Sequence, residues 1–170
     1  TVTAVSGSTY TPSVYAFVRG GTYAATNYGS NTLVEVKQGS VSDFFRKGLV
    51  KFDLTGAGLS SITSAKLRLY ANTAATTKIT VYQIADDWSE STVTWNTAPA
   101  NGIAIDSVAV SAPGVYYEFN VLSYVQDQMA GDRIVSIGIW DLSRGNVSVN
   151  FNSREAAGNQ PELVLRTTTT

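Results

Sequence analysis

The feature that most constrains this chain is a two-residue alternation of apolar and polar side chains, carried in short runs that each end in turn residues. In residues 65–70, Leu67 and Leu69 fall on one side, with Lys66, Arg68 and Tyr70 on the other. A strand sends successive side chains to opposite faces, so such a run buries one face and wets the other. Residues 45–52 repeat the pattern, with Gly48, Val50 and Phe52 opposed to Lys47, Leu49 and Lys51. Further runs at 14–18, 32–37, 78–84, 102–110, 115–119, 134–140, 147–151 and 162–166 are rich in β-branched or aromatic residues and bounded by Gly, Asn, Ser or Pro. About ten short strands separated by turns predict an all-β fold, a jelly-roll β-sandwich of antiparallel strands. One short helix is expected where Val121, Leu122, Val125 and Met129 recur at helical spacing, with Asn120 or Ser123 as cap and Gly131 as stop.

Composition narrows the chemistry. The 170 residues include no Cys and no His, which removes disulfides, thiolate and imidazole metal ligands, and Ser-His-Asp or Cys-His nucleophiles. A single domain over residues 1–166 is expected, with the Thr-only segment 167–170 as a linker remnant leading to neighbouring domains. No apolar run reaches the ~18 residues of a membrane span, so membrane insertion is not expected. The net charge of −1 hides a partition: residues 1–78 carry +5, residues 79–132 carry −7 with no Lys or Arg, and residues 133–170 carry +1. Two oppositely charged regions matter more to a partner than their near-cancelling total. The absence of a Lys/Arg stripe argues against nucleic acid as that partner.

A series of strings then carries a resemblance. They include Val18-Arg19-Gly20-Gly21-Thr22-Tyr23, Asn27-Tyr28-Gly29, Val50-Lys51-Phe52-Asp53-Leu54 and Ser64-Ala65-Lys66-Leu67-Arg68-Leu69-Tyr70. Trp88-Ser89-Glu90-Ser91-Thr92-Val93-Thr94-Trp95-Asn96, Phe151-Asn152-Ser153-Arg154-Glu155 and Pro161-Glu162-Leu163 follow in order. Over about residues 13–166 this set resembles the DNRLRE-domain family, also classed as carbohydrate-binding module family ninety-six. The resemblance implies a jelly-roll accessory module of secreted bacterial proteins that binds, without catalysis, an anionic uronate polymer of the alginate kind. It implies binding by basic side chains in the N-terminal quarter, here Arg19, Lys37, Arg46 and Lys47, plus an aromatic late in the chain.

The residues themselves point the same way. Arg19, Lys37, Arg46, Lys47 and Lys51 fall in a stretch with only Glu35 and Asp43 as acids. Arg and Lys meet carboxylates on a sugar chain, Arg bidentately. Tyr15, Tyr23 and Tyr28 are candidates to stack on pyranose faces. The competing reading pairs Arg46 with an acid and packs Tyr28 in a turn. Arg154 borders the basic face or pairs with Glu155. Trp88 and Trp95 form a sugar platform or, as their regular Thr-rich spacing favours, a structural turn; Trp140 belongs to the core. Asp86, Asp87 and Glu90 suggest a structural calcium site, without EF-hand spacing, or a pair of carboxyls for glycoside hydrolysis, which needs them ~5–9.5 Å apart. The expectation is therefore a monomeric, secreted polysaccharide-binding module without a required cofactor. The rivals are a structural or adhesive spacer and a small glycoside hydrolase or polysaccharide lyase.

Overall fold

A computed structural model describes residues 4–169. It is an all-β chain of eleven strands: β1 (Ala4–Tyr10), β2 (Val14–Arg19), β3 (Leu33–Lys37), β4 (Arg46–Asp53), β5 (Ile62–Thr73), β6 (Thr77–Gln83), β7 (Ala104–Val110), β8 (Val115–Asn120), β9 (Ile134–Asp141), β10 (Ser148–Asn152) and β11 (Glu162–Thr169). All pairings are antiparallel, in the order β1-β11-β5-β10-β3-β4-β9-β6-β7, with β2 on β4 and β8 on β5. The sheet curls over on itself, as in a β-sandwich. Leu67, Leu69 and Leu163 of one half share a core with Val50, Phe52 and Ile137 of the other. At the far edge the Asp106 carboxylate of β7 accepts the Asn120 N–H of β8 at 2.8 Å.

The alternation explains this packing. Leu67 and Leu69 are fully buried, while Lys66, Arg68 and Tyr70 remain part exposed. On β4 the two faces do different jobs. Val50 and Phe52 enter the main core, and Leu49 enters a second, smaller cluster on the outer face with Ala16, Val18, Ile84, Trp88 and Val93. That cluster exists because the segment from Ala85 to Ile103 lies across β2 and β4 as a flap. The single helix, α1 (Leu122–Ala130), starts where the Asn120 side-chain oxygen accepts the Leu122 N–H at 3.2 Å. It buries Tyr124 and Val125, and Gly131 follows its last residue. Among the described residues no helix is long and apolar enough to cross a membrane.

Two differences from the sequence reading concern the chain ends. β1 was not expected, because Ala4-Val5-Ser6-Gly7-Ser8-Thr9-Tyr10 has no apolar face of its own; pairing with β11 creates it. The Thr-rich end is likewise no linker through Thr169. Thr167, Thr168 and Thr169 pair with Ser6, Val5 and Ala4. β-branched Thr suits a pleated, solvated ladder, and its polarity alone had suggested a free tail. Thr170 lies outside the described residues.

Candidate functional site

The basic residues of the N-terminal third are drawn together by strand register. Arg19 of β2 lies opposite Arg46 of β4, and Arg46 lies opposite Lys37 of β3. These three side chains therefore start from one row at one end of the sheet. Two 3₁₀ turns overhang that row, at Gly21–Tyr23 and Ser42–Phe44. The turns are tied by Asp43, whose carboxylate accepts the Thr22 N–H at 2.6 Å and the Thr22 hydroxyl at 3.1 Å. Gly21 makes this possible: its φ of +62° is left-handed, and a Cβ there would collide with the Asp43 carboxylate.

Each turn supplies an exposed ring, and each ring carries a cation. The Arg19 guanidinium lies 3.8 Å from the Tyr23 ring centre, and the Lys37 ammonium 4.8 Å from that of Phe44. Tyr23 is 41% exposed and Phe44 40% exposed. Behind Arg19 the layers continue inward: Tyr28 lies 5.9 Å from the guanidinium and stacks on Phe17 at 4.7 Å between ring centres. The cation is thus held by a column of rings rooted in the core. Among the described residues neither Arg19 nor Lys37 has a carboxylate partner. The rim is an exposed aromatic surface with two unneutralised positive charges.

The other expected ligand residues are placed elsewhere or engaged already. Tyr15 is corrected from a stacking ring to a core residue, only 1% exposed, and burial drives its hydroxyl pKa upward. Its position on β2 puts it beside Phe17 on the inner face. Tyr28 is half-buried and serves the column. Arg46 stands in the row, but its guanidinium is ion-paired with Glu35, whose same oxygen accepts the Ser148 hydroxyl at 2.6 Å. Lys47 is corrected too. It points to the opposite face of β4, under the flap, where its ammonium donates to the Pro99 carbonyl at 3.2 Å. It sits 5.2 Å and 5.9 Å from the Trp95 and Trp140 rings, and burial lowers its pKa. Lys51, next on that face, donates to the Asp86 and Trp88 carbonyls at 2.6 and 2.7 Å and lies under the Trp88 ring. Two members of the basic set therefore pin the flap.

Arg154 belongs to a different construction. It pairs with Glu90 at 2.7 Å and Glu155 at 3.1 Å and donates to the Ser13 carbonyl at 2.7 Å. The other Glu90 oxygen accepts the Tyr15 N–H at 3.0 Å, and the Asn27 amide donates to the Glu90 carbonyl at 2.8 Å. Glu90 thus caps the free edge of β2 and joins it to the flap and to the loop after β10. This corrects the acidic trio. Glu90 is committed to Arg154 and a backbone N–H, and among the described residues no three acidic side chains gather as metal ligands. Asp86 and Asp87 line a flap cleft of about 470 Å³ with Trp88, Ser89 and Thr92. Burial, and then the neighbouring Asp132 carboxylate, raise the Asp86 carboxyl above the ordinary range. Trp88 and Trp95 serve the flap, while Trp140 packs against the main core as expected and lies 6.0 Å from Trp95.

Sequence reasoning missed Phe44. Its signal was the first ring of the Phe44-Phe45 pair, after Asp43 and just before a basic strand, and only the Asp43–Thr22 link turns that into a place beside Tyr23.

An all-β scaffold that exposes rings and cations on an end surface, with its buried acids and lysines spent on holding loops, defines the architecture of a binding module. Residues 6–167 match the model of carbohydrate-binding module family 96, and the chain belongs to that family. It is also similar to a gellan lyase from Bacillus sp, 38% identical over 125 residues, which are 68% of this chain and 5% of that protein. The chain thus spans only about a twentieth of the relative's length, and it lines up with a small piece of a far larger protein.

Proposed function

We propose that this chain is a non-catalytic module that binds an acidic polysaccharide across the Arg19–Tyr23–Lys37–Phe44 rim and holds a larger secreted bacterial protein on its substrate. The observation that carries the reading is the pair of cations without carboxylate partners, each resting on an exposed ring. An aromatic face takes the apolar C–H side of a pyranose, and the cation beside it takes a carboxylate on the same or the next sugar. Arg19 and Lys37 start from strands separated by β4, so their backbones are about 10 Å apart at ~4.8 Å per strand. That span suits a chain lying across the strands and touching both couples at once. The match to part of a gellan lyase supports a setting beside a polysaccharide-degrading enzyme. A cation site for calcium is not needed by this arrangement.

Isothermal titration with alginate, gellan and a neutral glucan tests the reading. Arg19→Ala and Lys37→Ala should each weaken binding to the acidic polymer about tenfold, the equivalent of one charge-assisted contact. Raising salt from 0.1 to 1 M shortens the screening length from about 10 to about 3 Å and should weaken wild-type binding as well. Salt-independent binding to the neutral glucan alone, unchanged in both variants, would overturn the proposal.

A further inference from the structure

We infer that the module is held at one pole and presents its binding rim at the opposite pole, which makes it a side-mounted tip instead of an in-line spacer. The inference rests on the rim reading above. It follows from where strand register places the two ends of the described chain.

Ala4 pairs with Thr169 and Tyr10 with Leu163, so the first and last strands are antiparallel neighbours. Neighbouring strands lie about 4.8 Å apart, so chain arriving at Ala4 and chain departing at Thr169 cross the surface at one place. β11 is registered in turn on β5, with Thr167 opposite Ile62. Helix α1 closes this same pole, where the Gln126 side-chain amide donates to the Ile62 carbonyl at 2.8 Å.

β5 then runs twelve residues to its other end. Thr73 pairs with Asn150 of β10. Two residues away on β10, Ser148 pairs with Lys37, Lys37 with Arg46, and Arg46 with Arg19. The row that forms the rim therefore lies beyond Thr73. Eleven steps along a strand at ~3.3 Å cover about 36 Å. A compact chain of this length is only about 40 Å across. The rim and the chain ends thus occupy opposite poles.

Two consequences separate this design from a spacer. A spacer gains length by keeping its ends apart, whereas here the ends enter and leave together and add almost nothing to the reach of a parent chain. Any domain tethered at Ala4 or Thr169 sits on the α1 side and leaves the rim open to a long polymer. At that pole Ala4, Val5, Ser6 and Gly7 of the first strand are all exposed.

The lack of cysteine makes the test direct. Ser6→Cys with Thr167→Cys, a registered pair, should close a disulfide on oxidation. Spin labels on Ser6→Cys and Ser42→Cys, both exposed, should report a separation of about 35 Å. Fusing a folded protein to either end should leave affinity for alginate or gellan within about twofold, while a polymer graft on Ser42→Cys beside Phe44 should lower it at least about tenfold. A label separation below about 20 Å overturns the inference. So does an unfused module that binds while either terminal fusion blocks it. An unfused module that binds neither polymer overturns the rim reading itself and takes the inference with it.

Discussion

Replacing Glu90 by Ala removes one side chain that three segments share. Its Oε1 accepts the Tyr15 N–H at 3.0 Å and its Oε2 pairs with Arg154 at 2.7 Å. The first bond satisfies an edge-strand N–H that points away from β4, and a charged acceptor there contributes about 1.5–3 kcal/mol. The second is a part-exposed ion pair, which contributes about 0.5–1 kcal/mol. The loss should total about 2–4 kcal/mol. A domain of this size loses about 2–4 °C of melting temperature per kcal/mol, so the midpoint should fall by about 4–16 °C. Glu90→Gln keeps an oxygen for Tyr15 and gives up the charge, and should recover about half of the drop. Thermal unfolding followed by circular dichroism reads both values. Polysaccharide affinity of the folded variants should stay within about twofold, because the loop that carries Tyr28 is held by the Glu90 backbone carbonyl, through Asn27, and both variants keep that carbonyl. A Glu90→Ala midpoint within about 2 °C of wild type would refute the edge-cap argument.

Three further outcomes follow from the same structure. Tyr15→Phe deletes a buried hydroxyl that has no hydrogen-bond partner among the described residues; stability should hold or rise by about 1 kcal/mol with binding unchanged, and lost binding would return Tyr15 to the site. Lys47→Met gives up one bond to Pro99 and relieves a buried ammonium; stability should move by no more than about 1 kcal/mol and affinity by no more than about twofold, while Trp emission changes as the charge leaves the indole rings. Asp86 titrates above the ordinary carboxylate value when folded. Its protonation therefore favours the folded state below the unfolded value near 3.9, and that contribution is lost as pH rises through the folded value. Asp86→Asn should melt higher than wild type at pH 7, with the advantage vanishing toward about pH 4, and a pH-independent difference would remove the burial argument.

The alternation made the strands legible. The buried and exposed sides of β5 and the inner face of β4 could be read because a strand's two faces follow from spacing alone. The helix could be read because its spacing changes from two to 3.6 and Asn120 and Gly131 punctuate it. β1 and the Thr-rich end of β11 could not, since neither has an apolar face and each exists as a strand only through the other. The candidate site divides along the same line. Arg19 and Tyr23 were recognisable as a cation and a ring near one turn, but Phe44 was not.

The sequence by itself determined an all-β chain without disulfides or histidine chemistry, with its net positive charge in the first half. It could not decide which basic residues remain available. Lys37, Arg46, Lys47 and Lys51 look alike as letters, and only their surroundings distinguish them. Register sets Arg19 and Lys37 on exposed rings, Glu35 neutralises Arg46, and the flap covers Lys47 and Lys51. The reason is physical: a charge is free or spent according to what lies within a few ångströms of it, and in a sheet of distant pairings those neighbours come from strands far away in the chain.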